Sequence, residues 1–319
     1  MSTSEGINLT SLSQVRSLLA EHGIRPSKAL GQNFLIDLNI LNILLDTAAL
    51  SSRDRVLEIG PGLGVVTEQL LERVQRVVAV EKDERLFALL KQRFGGRNNL
   101  DLVCGDMLEV GPGILAESRL DNVVSNLPYS AGSRILADIA MSGARPRRIT
   151  VTVQEEVADR LAAQPGSKNY GLLSVWLQAD YDIGIAKKIS PTCFWPRPEV
   201  QSVIISMTRH DRHKMTPLMR KSFYKLTKQM FTYRRKQLST ILARMGGTDR
   251  NAAELSPRRS RPTALQSEDM NDIHGGRLAS AATGLLAELG IDPRARPENL
   301  SIDDWLNLAA RMAHGTHQS

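Results

Sequence analysis

The stretch Arg55-Val56-Leu57-Glu58-Ile59-Gly60-Pro61-Gly62-Leu63-Gly64-Val65 decides the fold. A short apolar run, Val56–Ile59, feeds directly into three closely spaced glycines, and a helical segment follows near Val65–Arg73. Glycines at a strand-to-helix turn let the backbone approach a ligand closely. Their spacing discriminates between ligands. A dinucleotide-binding loop reads G-x-G-x-x-G; here the third glycine comes one position early, and Val65 holds the expected slot. The shortened form is typical of S-adenosylmethionine sites, where there is no pyrophosphate to cradle.

Outward from this loop, strand-like and helical segments alternate. Arg76–Val80, Leu100–Cys104, Asn122–Ser125 and Ile149–Val153 read as further strands, with helical segments near Glu84–Arg93, Ser133–Met141 and Glu155–Ala163. This alternation predicts an α/β fold with a mostly parallel sheet covered on both faces; taken with the shortened glycine loop, it resembles the Rossmann-like S-adenosylmethionine-dependent methyltransferase fold. Leu173–Ala179, Ile183–Lys188 and Val200–Thr208 are also strand-like and are expected to add antiparallel strands at one edge. Before the sheet, residues 11–22 read as an amphipathic helix with Leu12, Val15, Leu18 and Leu19 on one side. After about His210 the pattern turns to helices only: Leu218–Arg244, Leu278–Leu289 and Ile302–Met312. The expected division is a catalytic domain over residues 1–209, with an N-terminal helical extension over 1–50, and a smaller all-helical domain over 210–319. Residues 246–283, rich in Gly, Ser, Pro, Arg and Asp over much of their length, are expected to be a mobile insertion.

The chain of 319 residues has a net charge of +7, which points to a polyanionic partner. The charge is concentrated. Arg209–Arg244 holds eleven Lys or Arg residues against one acid, Asp211, with Phe223, Tyr224, Phe231 and Tyr233 interleaved. Such a stretch can neutralise phosphates while its aromatics pack inward or stack. Cys104 and Cys193 are the only cysteines, in apolar, strand-like surroundings. Two thiols make neither a disulfide framework nor a zinc site, so no metal is expected. No apolar run approaches a membrane span and the start does not read as a secretory signal. A cytoplasmic setting, with no membrane partner, is the expectation.

The strand ends carry the chemistry. The second strand of the sheet ends at Glu81-Lys82, where a carboxylate can accept hydrogen bonds from two ribose hydroxyls. The third ends in Gly105-Asp106-Met107, with Asp106 placed to accept from the adenine amino group of the cofactor. The fourth ends in Asn126-Leu127-Pro128-Tyr129. An adenine N6 is a poor nucleophile because its lone pair is delocalised into the ring. The side-chain oxygen of Asn126 and the carbonyl of Leu127 can accept from that amino group and favour a pyramidal nitrogen. Pro128 stiffens the turn, and Tyr129 is placed to stack on a base swung into the pocket. Phe194, in Phe194-Trp195-Pro196-Arg197-Pro198, is expected to stack on the base's other face.

Together these residues resemble the ribosomal RNA adenine dimethyltransferase family, in the branch that acts on the small subunit. The resemblance covers nearly the whole chain. It rests on Gly31-Gln32-Asn33-Phe34-Leu35, Glu58–Gly64, Glu81, Gly105-Asp106, Asn126–Tyr129, Gln154–Leu161, Tyr170-Gly171, Phe194–Val200, Arg234-Arg235-Lys236 and Gly290–Ser301. After Tyr129 the chain departs from the family, reading Ser130-Ala131-Gly132-Ser133. The resemblance implies S-adenosyl-L-methionine as cofactor. The candidate contacts are Asn33, Leu35, Gly60, Gly62, Gly64, Glu81, Lys82, Asp106, Met107 and Asn126. The candidate catalytic group is Asn126, Leu127, Pro128, Tyr129 and Phe194. Candidate RNA contacts are Arg197, Lys221, Lys225, Lys228, Arg234, Arg235 and Lys236. The implied product is N6,N6-dimethyladenosine at two adjacent adenosines in the hairpin near the 3′ end of small-subunit ribosomal RNA. The implied partner is a partly assembled small ribosomal subunit, met by a monomer. Two competing readings are a large-subunit adenine methyltransferase of the macrolide-resistance type and a non-enzymatic nucleic-acid-binding protein on the same fold. Gly290–Ser301 argues against the first, and the intact acidic and N-L-P-Y positions argue against the second.

Overall fold

A computed structural model describes residues 9–251 and 267–315. Its central sheet is built from β2 (Arg55–Ile59), β3 (Arg76–Glu81), β4 (Leu100–Cys104), β5 (Asn122–Asn126), β6 (Arg148–Gln154), β7 (Tyr181–Ile189) and β9 (Ser202–Arg209). They lie in the order β4-β3-β2-β5-β6-β9-β7. The first five run parallel; β9 is antiparallel to β6 and to β7. Four helices fill the crossovers among the parallel strands: α3 (Val65–Leu71), α4 (Glu84–Phe94), α5 (Met107–Glu117) and α6 (Gly132–Ser142). The order reverses between β2 and β5, which is where ligands of doubly wound sheets sit. The central strands β2, β3, β5 and β6 are buried for the reason their sequences suggest: Val56, Leu57, Val77, Ala79, Val123, Val124, Ile149 and Val151 are fully enclosed.

Two elements clamp the carboxyl end of this sheet. β1 (Phe34–Leu35) pairs antiparallel with β8 (Phe194–Trp195), Phe34 opposite Trp195 and Leu35 opposite Phe194. Helix α1 (Leu12–Glu21) buries Val15, Leu18 and Leu19 of the expected face, while Leu12 is only partly covered. The guanidinium of Arg16 lies 5.6 Å from the centroid of the Trp195 ring. Helix α2 (Leu38–Ala48) starts at Asp37, whose side chain accepts from the Ile40 N–H.

Three local readings need correction. Leu173–Ala179 is not a strand: α8 (Leu172–Gln178) is a helix that follows α7 (Glu155–Leu161). Leu173, Val175, Trp176, Leu177 and Ala179 are all buried, and a run buried on every side has no period to read. Helix α5 was not expected, since Gly111-Pro112-Gly113 lies inside it. Asp106 caps its start by accepting the Leu108 N–H, and the helix continues through Pro112 in its second turn. The two cysteines are not equivalent: Cys104 is exposed, and Cys193 sits in a short 3₁₀ turn (Pro191–Cys193).

The chain divides into two compact units. One runs to Ala162 and resumes over Trp176–His213; the other comprises Ala163–Val175 and the chain from Lys214 onward. Residues 163–175 join the later helices through specific bonds. The Tyr170 hydroxyl donates to the Leu300 carbonyl at 3.0 Å, and the Arg234 guanidinium donates to the Lys168 carbonyl at 2.7 Å. The second unit holds α9 (Pro217–Thr232), α10 (Leu238–Asn251), α11 (Ser267–Glu288) and α12 (Ile302–Gly315). The expected single helix over Leu218–Arg244 is thus broken at Tyr233–Gln237. The new start is satisfied by tertiary partners: Leu238 N–H donates to the Ala295 carbonyl at 2.9 Å and Ser239 N–H to the Pro293 carbonyl at 3.2 Å. Of the expected insertion, residues 246–251 and 267–283 are helical; residues 252–266 lie outside the described residues. No helix among the described residues is long and apolar enough to cross a membrane.

Candidate active site

The carboxyl ends of β2, β3, β4 and β5 open on one cavity of about 330 Å³, closed by residues 29–35. Its walls carry Asn33, Leu35, Gly60, Gly62, Glu81, Lys82, Asp106, Met107, Asn126, Leu127 and Pro128. Every sequence-derived cofactor contact except Gly64 is therefore gathered here. Gly64 has another task. It starts α3 at φ 85°, and a Cβ there would stand 2.5 Å from the Phe94 ring and 2.9 Å from Leu90. It lets α3 begin hard against α4, which is a packing role.

The acids are held by backbone. One oxygen of Glu81 accepts the Gly62 N–H at 3.0 Å and the other accepts the Asp83 N–H at 2.8 Å. This ties the glycine loop to the end of the neighbouring strand. Burial nevertheless pushes the Glu81 carboxyl above its ordinary value. Asp106 behaves oppositely. The Lys82 ammonium donates to one of its oxygens at 2.7 Å and the Leu108 N–H donates to the other at 2.9 Å. Those bonds lower the Asp106 pKa, and the same contact raises that of Lys82. Glu58, which sequence reading quoted only as part of the glycine motif, also lines the cavity. It is 2% exposed, accepts from the Thr67 hydroxyl at 2.6 Å, and burial pushes its pKa up to about 8. An acid inside a fully buried parallel strand is the signal that marks it.

This lining fits S-adenosylmethionine. The cavity is of a size usual for small-molecule sites. Glu81 and Asp106 offer acceptors to sugar and base, and the acidic wall complements a cation. Its one ammonium, Lys82, is already paired with Asp106, so the diphosphate of a dinucleotide would meet carboxylates without a free counter-charge.

The Asn126 turn lies at the edge of this cavity. The side-chain N–H of Asn126 donates to the Asn33 carbonyl at 2.8 Å, and the Thr152 hydroxyl donates to the Asn126 side-chain oxygen. Among the described residues, no donor bonds the Leu127 carbonyl. Gly31, at φ 66°, presses on this turn: a Cβ there would stand 2.8 Å from the Ser130 nitrogen and 3.0 Å from the Tyr129 nitrogen. The N-terminal segment and the turn therefore fit together only with glycine at position 31. Ser130, part of the departure from the family pattern, is what this glycine faces.

The two aromatics are placed differently from expectation. Tyr129 is half-buried and its hydroxyl bonds the Ser202 hydroxyl. Phe194 is 2% exposed and belongs to the hydrophobic core. The rings meet edge to face, centroids 6.5 Å apart at 73°. They do not form two parallel walls for a base, because β8 turns Phe194 inward beside Leu35. Neither ring lines the cofactor cavity.

The expected RNA contacts are also sorted by the structure. Arg197, in the first unit, is exposed; Lys221, Lys225, Lys228, Arg235 and Lys236, in the second, are exposed as well. Arg234 is not free. Its guanidinium pairs with Glu298 at 2.5 Å in addition to its bond to Lys168. The interleaved aromatics mostly pack inward: Phe223 and Tyr224 are buried, Phe231 lies 5.6 Å from Trp305, and Tyr233 alone is exposed.

Comparison with known proteins agrees with this site. The family model described as ribosomal RNA adenine dimethylase matches residues 24–274. The protein named ribosomal RNA small subunit methyltransferase A of Moorella thermoacetica is 34% identical over 93% of this chain and 96% of its own. The protein of that name from Ligilactobacillus salivarius is 38% identical over 93% of each. In fold, the chain is similar to a dimethyladenosine transferase from Plasmodium falciparum (TM-score 0.68, 22% identity, 88% of this chain and 97% of that one). It is also similar to the 23S rRNA methyltransferase ErmE (TM-score 0.58, 22% identity, 88% and 99%). The acid-lined cavity, the Asn126 turn at its edge and the match over most of the sequence lead to one conclusion: this chain belongs to the ribosomal RNA adenine dimethylase family and is an S-adenosylmethionine-dependent methyltransferase.

Proposed function

We propose that this protein converts two adjacent adenosines, in the hairpin near the 3′ end of small-subunit ribosomal RNA, to N6,N6-dimethyladenosine. Its substrate is a partly assembled small subunit in the cytoplasm, and it works as a monomer. The observation that carries this reading is the orientation of Asn126 at the edge of the donor cavity. The small-subunit names of the curated relatives support that subunit over the large one.

S-adenosylmethionine, when bound, supplies a methyl carbon made electrophilic by its sulfonium. Glu81 and Asp106 hold the sugar and base of this donor, with Gly60, Gly62 and Asn33 along the walls. The Asn126 side-chain oxygen and the unbonded Leu127 carbonyl accept from the two N–H groups of an adenine N6. That arrangement withdraws the nitrogen lone pair from the ring and aims it outward. Pro128 fixes the direction of the Leu127 carbonyl. Tyr129, anchored by Ser202, gives the flipped base an apolar contact. No side chain is needed as a strong base, because the amine becomes acidic only as its bond to carbon forms. Positioning is the main source of acceleration. The exposed cations Lys221, Lys225, Lys228, Arg235, Lys236 and Arg197 neutralise phosphates around the target.

The test is transfer of labelled methyl groups to small and large subunits that lack the modification, followed by mapping of the labelled nucleotides. Label on two neighbouring adenosines of the small subunit is expected. Label confined to the large subunit would reject the assignment.

A further inference from the structure

The orientation of Asn126 depends on a residue that lies outside the four-residue turn. A planar carboxamide has two ends, and its last torsion is soft. One end faces the backbone carbonyl of Asn33, which can only accept, so the side-chain N–H₂ of Asn126 must be on that side. The oxygen is then directed toward β6, where it meets the Thr152 hydroxyl. A hydroxyl can donate or accept; against a carbonyl oxygen it donates.

Thr152 suits this task. It stands directly opposite Asn126 in the parallel pairing of β5 with β6. It is fully buried, and its branched side chain holds few rotamers. Its backbone carbonyl also accepts the Leu127 N–H at 3.3 Å. One residue therefore pins both members of the turn that offer acceptors, Asn126 through its hydroxyl and Leu127 through its carbonyl. A single bond from Asn33 would leave the amide free to swing. A second bond at the opposite end fixes it. Because a carbonyl oxygen has two lone pairs, the Thr152 bond leaves one for an incoming N–H.

We propose that Thr152 is a positioning residue for methyl transfer: its buried hydroxyl locks the Asn126 carboxamide with its oxygen presented to the acceptor amine. This rests on the reading of Asn126 as the group that accepts from adenine N6.

The experiment uses the full-length protein, unmodified small subunits and four variants: Thr152→Val, Thr152→Ser, Asn126→Ala and the double variant of Asn126→Ala with Thr152→Val. Thr152→Val keeps the shape and removes the donor; Thr152→Ser keeps the donor. With Thr152→Val, kcat is expected to fall roughly 10-fold, the size of one aligned hydrogen bond, while KM and Kd for S-adenosylmethionine stay within about twofold of the wild type. Thr152→Ser is expected to recover most of the kcat. Adding Thr152→Val to Asn126→Ala is expected to cost nothing further, because the hydroxyl acts through that amide. A wild-type kcat in Thr152→Val would overturn the proposal. So would a loss in Thr152→Val that Thr152→Ser does not restore, or a full additional loss in the double variant. The underlying reading is judged separately: near wild-type turnover of Asn126→Ala removes Asn126 itself, whereas an inactive Asn126→Ala beside a fully active Thr152→Val removes only Thr152.

Discussion

The ammonium of Lys82 stands 2.7 Å from the Asp106 carboxylate, linking the ends of two neighbouring strands at the wall of the donor cavity. The pair is unequal. Lys82 is more than half exposed, so its bond contributes little to stability. Asp106 is mostly covered and also caps α5. Asp106→Ala is therefore expected to lower stability by about 1 kcal/mol through the lost cap and to weaken donor binding about tenfold. Asp106→Asn keeps a capping side chain and should recover the stability. Lys82→Met should change neither quantity much. Calorimetric titration with S-adenosylmethionine and urea unfolding give both readings. A large loss of donor affinity in Lys82→Met would mean that the ammonium, rather than the carboxylate, meets the ligand.

Glu81 joins the glycine loop to the turn after β3 by accepting two backbone N–H bonds, from Gly62 and Asp83. A carboxylate keeps acceptor capacity beyond those two bonds, and that remainder is what a ribose would use. Glu81→Ala strands both N–H groups and removes the sugar's acceptors. Donor Kd is expected to rise about tenfold or more, with a smaller change in kcat once donor is saturating. Equilibrium binding and steady-state rates on small subunits separate the two. A fall in kcat with donor affinity intact would assign Glu81 to the chemical step instead.

Glu58 makes stability depend on pH. Its neighbours are the Thr67 hydroxyl on α3 and the Glu81 carboxylate on β3; burial and the second acid both disfavour its ionised form, and Thr67 favours it. In the unfolded chain the group ionises near 4.5, but in the fold only near 8. Its contribution to stability is complete below the lower value. It then declines by about 1.4 kcal/mol per pH unit as pH rises toward the higher one. Glu58→Gln is neutral throughout and retains a partner for Thr67. Relative to wild type, the variant should gain stability steadily between about pH 5 and pH 8 in urea unfolding. An identical stability difference at the two pH values would show that Glu58 ionises normally in the fold.

Much of this site is legible because of where a parallel sheet puts its chemistry. β2, β3 and β5 are short buried runs and β4 a half-buried one, and the polar residues at or just beyond their carboxyl ends are where a ligand sits. Glu81, Asp106 and Asn126 are legible from that position, at or within two residues of the ends of β3, β4 and β5. The rule fails where burial erases polarity as a marker. Thr152 reads as an ordinary β-branched strand residue, and nothing local to it announces a partner on β5. Phe194 lies in a loop-like sequence, yet its pairing with Leu35 is non-local and turns the ring into the core. Leu173–Ala179 is apolar on every side and offers no period. Gly111-Pro112-Gly113 weakens the local helical signal, although Asp106 caps a helix that runs through it. The break at Tyr233–Gln237 is equally non-local, since the donors at the start of α10 are met by Pro293 and Ala295.

Arg234 and Arg235 are adjacent in a basic run, but the structure gives them different partners, and their variants should differ accordingly. Arg234 holds Glu298 and the Lys168 carbonyl within the second unit. Glu298 is largely covered and the Gly166 N–H donates to its backbone carbonyl at 2.6 Å, so the residues joined to Arg234 are themselves fixed in place. Arg234→Ala leaves a partly buried carboxylate without its cation, and a loss of about 1–2 kcal/mol in stability is expected. Arg235, like Lys221, Lys225 and Lys228, is exposed, and its loss should leave stability within about 0.5 kcal/mol of wild type. Its effect belongs to RNA binding. For each exposed cation that meets a phosphate, the slope of log K against log salt should flatten by roughly 0.7–0.9. Replacing Lys221, Lys225, Lys228 and Arg235 together should therefore flatten it by about 3, with urea unfolding unchanged. Titrating small subunits with each variant at several salt concentrations checks both halves. An unchanged slope in the fourfold variant would remove these four cations from the RNA interface, and a flattened slope with intact stability in Arg234→Ala would place Arg234 in it.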